Sequence, residues 1–474
     1  MSAVLIGIDV GTSGAKVVAT DLDGVRVADA LVRYPTMTAG TGAEQDARAW
    51  WAAVSQATAS VLAGREVRAV AVTSQAPTLV PVDSAGEPTA PALTWLDRRA
   101  TAEASRIAEL APNSRNGADP FFGTAKLPWL AEHRASALER AEHVLSCNGF
   151  IVRQLTGLAV LDETTASLMQ GFDEGSGDFA DAVRAAEPSL RFLPPIVAAD
   201  HVVGQVTAYA SRATGIPEGT PVVAGGIDSI GSAIEAGALA PGDPLVDMTG
   251  FSSVTILAVP RGTVVPGFIH SRHCVPGVDL LITAQVTAGA TIDWVNGLDS
   301  AHDLRDDAAL LARPRPGRIT MVPSLAGERT PSWNIGARGV IDGIDLATDG
   351  IDLMLAAMEG NALALSHDVE VLRAHGFPVD QVISTGGGAA SSAWLTIKAD
   401  VLGVPVVRPE SGHGAAHGAA LLAGAAVGEF ASFEAALGKS RAIEARYEPD
   451  AARAEPYAEA ARRYARVAAL NADR

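Results

Sequence analysis

Asp9 follows the apolar run Ile6-Gly7-Ile8, and after it come Gly11-Thr12-Ser13-Gly14 and a second apolar run carrying Lys16. A turn of small residues between two strands points successive backbone N–H groups at one place, a concave site for an anion. Thr12 and Ser13 add hydroxyl donors, and Lys16 adds a point charge suited to phosphate oxygens. Asp9, at the strand end, offers the hard oxygen ligands that hold Mg²⁺ through water. This is not a Walker loop, because Lys16 runs on into Val17-Val18-Ala19 instead of a hydroxyl residue opening a helix. Alone, the segment reads equally well as an ordinary hairpin. The pattern returns half a chain later, where Leu245-Val246-Asp247 leads into Thr249-Gly250-Phe251-Ser252-Ser253 and another apolar run. Between the two, Gly225-Gly226-Ile227 delivers Asp228 to a strand end with no Lys or Arg beside it in sequence. That placement suits a base taking a proton from an alcohol, and a turn-stabilising Asp is the competing reading. Gly386-Gly387-Gly388 close a further strand and would let backbone approach a flat base and ribose.

The elements that must position these residues follow from hydrophobic period. Residues 4 to 82 predict the strands VLIGIDV, AKVVATD and VADALVRYP, a helix near Ala47 to Leu62, then the strands VRAVAVTS and LVPVD, all in a mixed sheet. Asp21-Leu22-Asp23-Gly24 and Asp83-Ser84-Ala85-Gly86 supply turns. From about 98 to 196 the spacing turns helical and predicts a cap on the first unit. Further helices are expected at 351 to 376, at Ala393 to Leu402 and over the last twenty residues. The echoed hairpin predicts duplicated lobes, and 474 residues exceed one ordinary core.

Composition narrows the function. A net charge of -18 with no basic patch argues against a nucleic-acid partner. Cys147 and Cys274 are too few for a disulfide framework or a thiolate zinc site, which leaves two free thiols in a reducing cytoplasm. No signal peptide is expected, and no apolar stretch approaches the roughly 20 residues of a membrane span. His413 and His417 have a metal-binding spacing on a helix, but without a partner Glu or third ligand they read as a helix-surface or cleft pair. His270, His273 and Cys274 read as packing in a strand.

Several ordered motifs then carry a resemblance. Asp9-x-Gly11-Thr12-Ser13-x-x-Lys16, TWLDRR at 94 to 99, AGGID at 224 to 228, MVPSLAGERTPSWNIGARGVIDG at 321 to 343 and STGGGAASSAWLTIKADVLGVPV at 384 to 406 are together similar to the FGGY carbohydrate kinases. That family lies within the actin-like ATPase superfamily. The resemblance implies an α/β fold of two ribonuclease-H-like lobes with a deep cleft between them: residues 1–240 on the sugar side, with the helical insertion near 98–196, and residues 241–474 on the nucleotide side. It implies ATP and Mg²⁺ as cofactors and a small sugar or polyol as substrate, in a cytoplasmic enzyme with no nucleic-acid or membrane partner; a homodimer is left open. Thr12, Ser13 and Lys16, with Thr249 and Gly250, would meet the ATP phosphates. Gly289, Gly387, Gly388 and Ser392 would lie near the adenosine. Gln75, Ala76, Pro77, Trp95, Asp97 and Ser229 would border the sugar. Asp228 would be the general base and would share the metal's water shell with Asp9.

The chain also departs from the family's pattern. Xylulokinases usually carry Gln-Met-His-Gly where this sequence has Gln75-Ala76-Pro77-Thr78, and glycerol kinases an Arg-Glu pair that is absent here too. A pentulose such as xylulose is the first expectation for the acceptor, with tetritols, pentitols and hexuloses as alternatives. An actin-like ATPase or a silent sugar sensor is the reading from another class. TWLDRR and GERTPSW argue against the first, and the presence of Asp9, Asp97 and Asp228 against the second.

Overall fold

In a computed structural model of the protein, which describes residues 3–410, 414–437 and 443–471, two mixed sheets follow one plan. The first runs, in spatial order, Val202–Gln205, Pro221–Ile227, Glu66–Ser74, Ala3–Val10, Gly14–Thr20 and Arg26–Arg33. The second runs Ile269–Arg272, Val278–Gln285, Ser253–Pro260, Leu245–Thr249, Val382–Thr385, Val406–Pro409 and Ile443–Tyr447. Each opens with an antiparallel hairpin whose first strand pairs in parallel with a later one. Register makes the duplication concrete. Asp9 faces Lys16 across its hairpin and Thr73 across the parallel pair. Asp247 faces Thr255 and Ser384 in the same way.

The continuous apolar run of the first strand follows from burial on both faces. Val4, Ile6, Ile8 and Val10 pack with Trp50, Val54 and Val61 of the helix Ala47–Leu62, which starts where the Asp46 side chain accepts a hydrogen bond from Arg48 N. Leu5, on the other face, belongs to a core that joins the lobes through Ile227, Ile230, Val246, Ile256, Leu421 and Leu422. That core brings together the helices Asp228–Ala236 and Ala415–Ala426. They cross with almost no side chain between them: a Cβ on Gly418 would lie 1.8 Å from the Gly231 carbonyl oxygen, and one on Gly7 would lie 1.9 Å from that of Ala416. Ala415–Ala426 therefore lies against the first sheet although it comes from the second half of the chain. The packing units cut across the 240/241 division drawn from sequence.

Two expectations change. Leu79–Val82 leaves the first sheet and joins a five-stranded side sheet with Ala92–Leu93, His143–Ser146, Gly42–Gln45 and Met37–Ala39, since Pro77 has no N–H with which to continue the main ladder. The 98–196 stretch has its own core, including Ile107, Trp129, Phe172 and Phe179. One of its helices, Cys147–Thr156, instead sends Phe150, Ile151 and Leu155 into the first lobe. Among the described residues no helix is long and apolar enough to cross a membrane.

Candidate active site

The first turn is braced from behind. Gly11 N donates to Gly14 O at 3.0 Å, and the Gly11 carbonyl accepts from the Tyr34 hydroxyl. The Thr12 carbonyl accepts from Gln45 Nε2 at 2.7 Å and Thr36 Oγ1 at 3.0 Å, which leaves Ser13 exposed at the tip. Thr12 Oγ1 accepts from Trp95 Nε1 at 3.0 Å, so the turn is tied to the segment that TWLDRR was expected to place at the substrate. The second turn has a different support. Thr249 is buried, and its hydroxyl donates to Asp247 Oδ1 at 2.9 Å while accepting from Lys398 Nζ at 2.9 Å. Thr249 therefore has no side-chain group left for a phosphate, contrary to the expectation. Gly250, Phe251 and Ser252 form the accessible part of this turn.

Both turns reach one cavity of about 170 Å³, where Thr12 and Ser252 meet Asp228, Ser229, Trp95 and Arg329. Asp228 is the first residue of its helix, placed there by the Gly231–Gly418 crossing, and Ser229 Oγ donates to Asp228 Oδ1 at 3.3 Å. Burial pushes the Asp228 carboxyl up from 3.8 to about 6, against the hydrogen bonds of Ser229 and the pull of the Arg329 guanidinium. Asp9 rises further, to about 7, through burial and then the charge of Asp228, with Thr73 and Lys16 opposing. The charge of Asp228 raises the proton affinity of Asp9, and two neighbouring carboxylates form a set of hard oxygen donors matched to a divalent cation.

The expected nucleotide-side residues cluster as well. Gly289 N donates to Gly250 O at 3.0 Å, and a Cβ on Gly289 would lie 2.2 Å from that oxygen. Gly388 presses on Thr249, where a Cβ would meet Cγ2 at 2.6 Å, while Gly387 is exposed with open space above it. A cavity of about 400 Å³ opens beside Gly386, between Thr385, Ala389, Arg408 and Glu444. Ser392 caps no open space: its N–H donates to Asp307 Oδ2 at 2.7 Å and its hydroxyl pairs with that of Tyr447 at 2.9 Å.

The sugar-side expectations divide. Ala76 and Trp95 line the 170 Å³ cavity, but Gln75, Pro77 and Asp97 do not. Gln75 is buried and donates to Gln45 Oε1 at 2.6 Å. Pro77 lies beneath Gly123, with its carbonyl accepting from the buried Lys126 at 3.4 Å. Asp97 departs most from expectation. It is 2% exposed and accepts from Ala43 N at 3.0 Å and from Arg99 Nε and Nη2. Burial raises its proton affinity, but Arg99 and the backbone donors outweigh that, so the group sits below the usual carboxylate range. Its carboxylate ties the TWLDRR loop to Ala43, while Trp95 faces the cavity.

Arg329 lay inside a quoted motif without a role. Its guanidinium stacks 4.2 Å from the Phe121 ring centroid and 4.9 Å from that of Trp95. Burial and the nearby Arg98 lower its pKa to about 10, so it is still a cation at neutral pH. Elsewhere, His270 accepts from Val265 N and His273 from Val275 N, both buried and both pushed down to about 4 by burial, as packing requires. His417 is buried against the Gly24 carbonyl at 2.9 Å and beside Glu235, while His413 lies outside the described residues.

Two equivalent sheets, each presenting a hairpin turn to one shared cleft, define the actin-like ATPase class of fold. Within it, residues 4–234 match the N-terminal domain of the FGGY family of carbohydrate kinases and residues 249–427 its C-terminal domain. The chain is 31% identical over 456 residues to a xylulose kinase of Streptomyces coelicolor, covering 90% of this chain and 89% of the relative. To that of Staphylococcus xylosus it is 27% identical over 450 residues, covering 90% and 91%. The crystal structure of xylulose kinase from Rhodospirillum rubrum superposes with a TM-score of 0.87 at 27% identity, covering 98% of both chains. The chain belongs to the FGGY family of carbohydrate kinases, enzymes that phosphorylate a sugar with ATP.

Proposed function

We propose that this kinase transfers the γ-phosphoryl group of Mg·ATP to a hydroxyl of a pentulose, xylulose first, with Asp228 as general base. The supporting observation is that Thr12, Ser252 and Asp228 line a single cavity. Ser13 and the backbone of the first turn, with Gly250 and Ser252 of the second, bind the phosphates from two sides. Asp228 accepts the proton of the attacking hydroxyl, and a pKa of about 6 keeps it ionised at neutral pH and close to the value at which a base works best. Asp9 and Asp228 fit a water-coordinated Mg²⁺, which would supply charge neutralisation at the β- and γ-phosphates. Trp95 and Phe121 form an apolar wall with Arg329 stacked on it, a surface that excludes water from the acceptor side of the cleft.

Xylulose as acceptor rests on the xylulose kinases to which the chain is similar over nine-tenths of its length. At Ala76 the cavity has a methyl group where a longer or polar side chain would contact the sugar. Orientation therefore falls to Asp228, Ser229 and Arg329. The test is ADP release with Mg·ATP and xylulose, ribulose, ribitol, erythritol, a hexulose or glycerol, beside Asp228→Ala. Xylulose is expected to give the largest kcat/KM, and the variant to lose about 10²- to 10⁴-fold. ADP release no faster with any acceptor than with water alone, or full turnover by the variant, would overturn the reading.

A further inference from the structure

Asp9 and Asp247 hold equivalent places in the two hairpins, opposite Thr73 and Ser384 on the equivalent parallel strands. Each accepts a hydrogen bond from that partner, from Thr73 Oγ1 at 3.2 Å and from Ser384 Oγ at 2.9 Å. Beyond this their surroundings diverge. Asp9 is partly exposed, and the crossover helix of its lobe, Cys147–Thr156, brings the thiol of Cys147 into its neighbourhood. Asp247 has no exposed surface, and the corresponding crossover helix of the second lobe, Ser392–Leu402, sends in Lys398, itself 2% exposed.

Lys398 Nζ donates to Asp247 Oδ2 at 2.5 Å and to Thr249 Oγ1 at 2.9 Å, and sits 4.8 Å from the centroid of Trp394. Asp247 Oδ1 accepts from Thr249 Oγ1 and from Ser253 Oγ, both at 2.9 Å. Burial opposes ionisation of Asp247, but Lys398 and the hydroxyl donors outweigh it and hold the group below the usual carboxylate range. Thr249 and Ser253 are the residues at which the hairpin opens and closes its turn. One carboxylate and one ammonium thus fix both ends of the segment that carries Gly250, Phe251 and Ser252.

We propose that Lys398 is a positioning residue for the nucleotide: acting through Asp247 and Thr249, it holds the 249–253 turn in the conformation that presents Gly250 and Ser252 to the ATP phosphates. This rests on the reading of that turn as a phosphate site. The lysine gives the second hairpin an internal cation, so its acid is consumed in the fold while the first hairpin's acid keeps part of its surface exposed. A buried ion pair adds little net stability over a neutral replacement of similar volume. Geometry is what the pair contributes.

Lys398→Met alone leaves a buried carboxylate without its counter-charge, a change that destabilises whatever the role. The decisive variant is therefore Lys398→Met with Asp247→Asn, which removes both charges at nearly constant volume. Binding of Mg·ADP is measured by titration calorimetry and melting by circular dichroism, neither of which depends on knowing the acceptor. The double variant is expected to melt within a few degrees of wild type and to bind Mg·ADP about tenfold more weakly, as loss of one charge-assisted contact to the turn implies. A double variant with the wild-type Kd overturns the proposal. So does a Kd that weakens only in step with melting temperature across the variants, the mark of general loosening. A wild-type chain that bound no Mg·ADP would instead overturn the reading of the cleft, and this inference with it.

Discussion

Asp228→Asn is predicted to inactivate the enzyme and to stabilise it. In the folded protein the Asp228 carboxyl titrates near 6, against an ordinary value of 3.8. The folded state binds that proton more tightly than the unfolded state, so stability falls as pH rises from about 4 to about 6 and does not return above that. At 1.36 kcal/mol per unit, a shift of roughly two units sets a ceiling of about 3 kcal/mol at pH 8. Two effects reduce it. The cleft is open on one side, so water screens part of the charge, and an acid in the first turn of its helix gains about 0.3 to 1 kcal/mol from the helix dipole that an amide does not. Relief of the repulsion on Asp9 acts in the other direction. The expected gain is then about 1 to 2 kcal/mol at pH 8, or about 1 to 4 °C for a chain of this size. Urea titrations without metal or nucleotide, at pH 8 and pH 4.5, make the comparison. The increment at the lower pH should be about a third of that at the higher, since the unfolded carboxyl is still mostly ionised at pH 4.5. An asparagine variant less stable than wild type at pH 8, or an equal increment at both pH values, would refute the account of how Asp228 is held.

Much of this arrangement is visible in local sequence. The two hairpins are legible because each acid, turn and apolar flank is contiguous, as is the strand that delivers Asp228. Roles set by distant partners are not. Asp97 reads as a cleft residue until the fold brings Ala43 and Arg99 onto both its oxygens. Lys398 lies 151 positions from Asp247, and its one local signal is a charge beside buried Trp394, Leu395 and Ile397 on a helix. Arg329 sits in a quoted motif, yet its stacking depends on Trp95 and on Phe121, from a separate part of the first lobe. The small, apolar segment 415–426 announces a helix buried all round. Its period cannot say which sheet covers it, and Gly7 and Gly231 decide that by giving up their side chains. Leu79–Val82 has the composition of a core strand in any sheet, and Pro77 directs it to the smaller one.

Two further predictions follow from the same geometry. Gly289→Ala would place a Cβ 2.2 Å from the Gly250 carbonyl, backbone against backbone, so the second turn must shift. KM for ATP should rise about tenfold while KM for the acceptor stays within twofold, and equal rises in both would refute a nucleotide-side role for this contact. The last concerns Arg329. Its guanidinium lines the cavity with Asp228 and favours the ionised carboxylate there. With Asp9 titrating near 7 and the base Asp228 near 6, log(kcat/KM) should fall with unit slope below about 7 and more steeply below about 6, where protonation of Asp228 adds to the loss. Arg329→Met keeps an apolar side chain against Trp95 and Phe121 but removes the charge, so the acid limb must move to higher pH. Arg329→Lys keeps a charge while losing the planar stack, and its limb should stay near that of wild type even if its maximal rate falls. A methionine variant slower by the same factor at every pH would mean that Arg329 only shapes the wall, and the electrostatic link to Asp228 would fail.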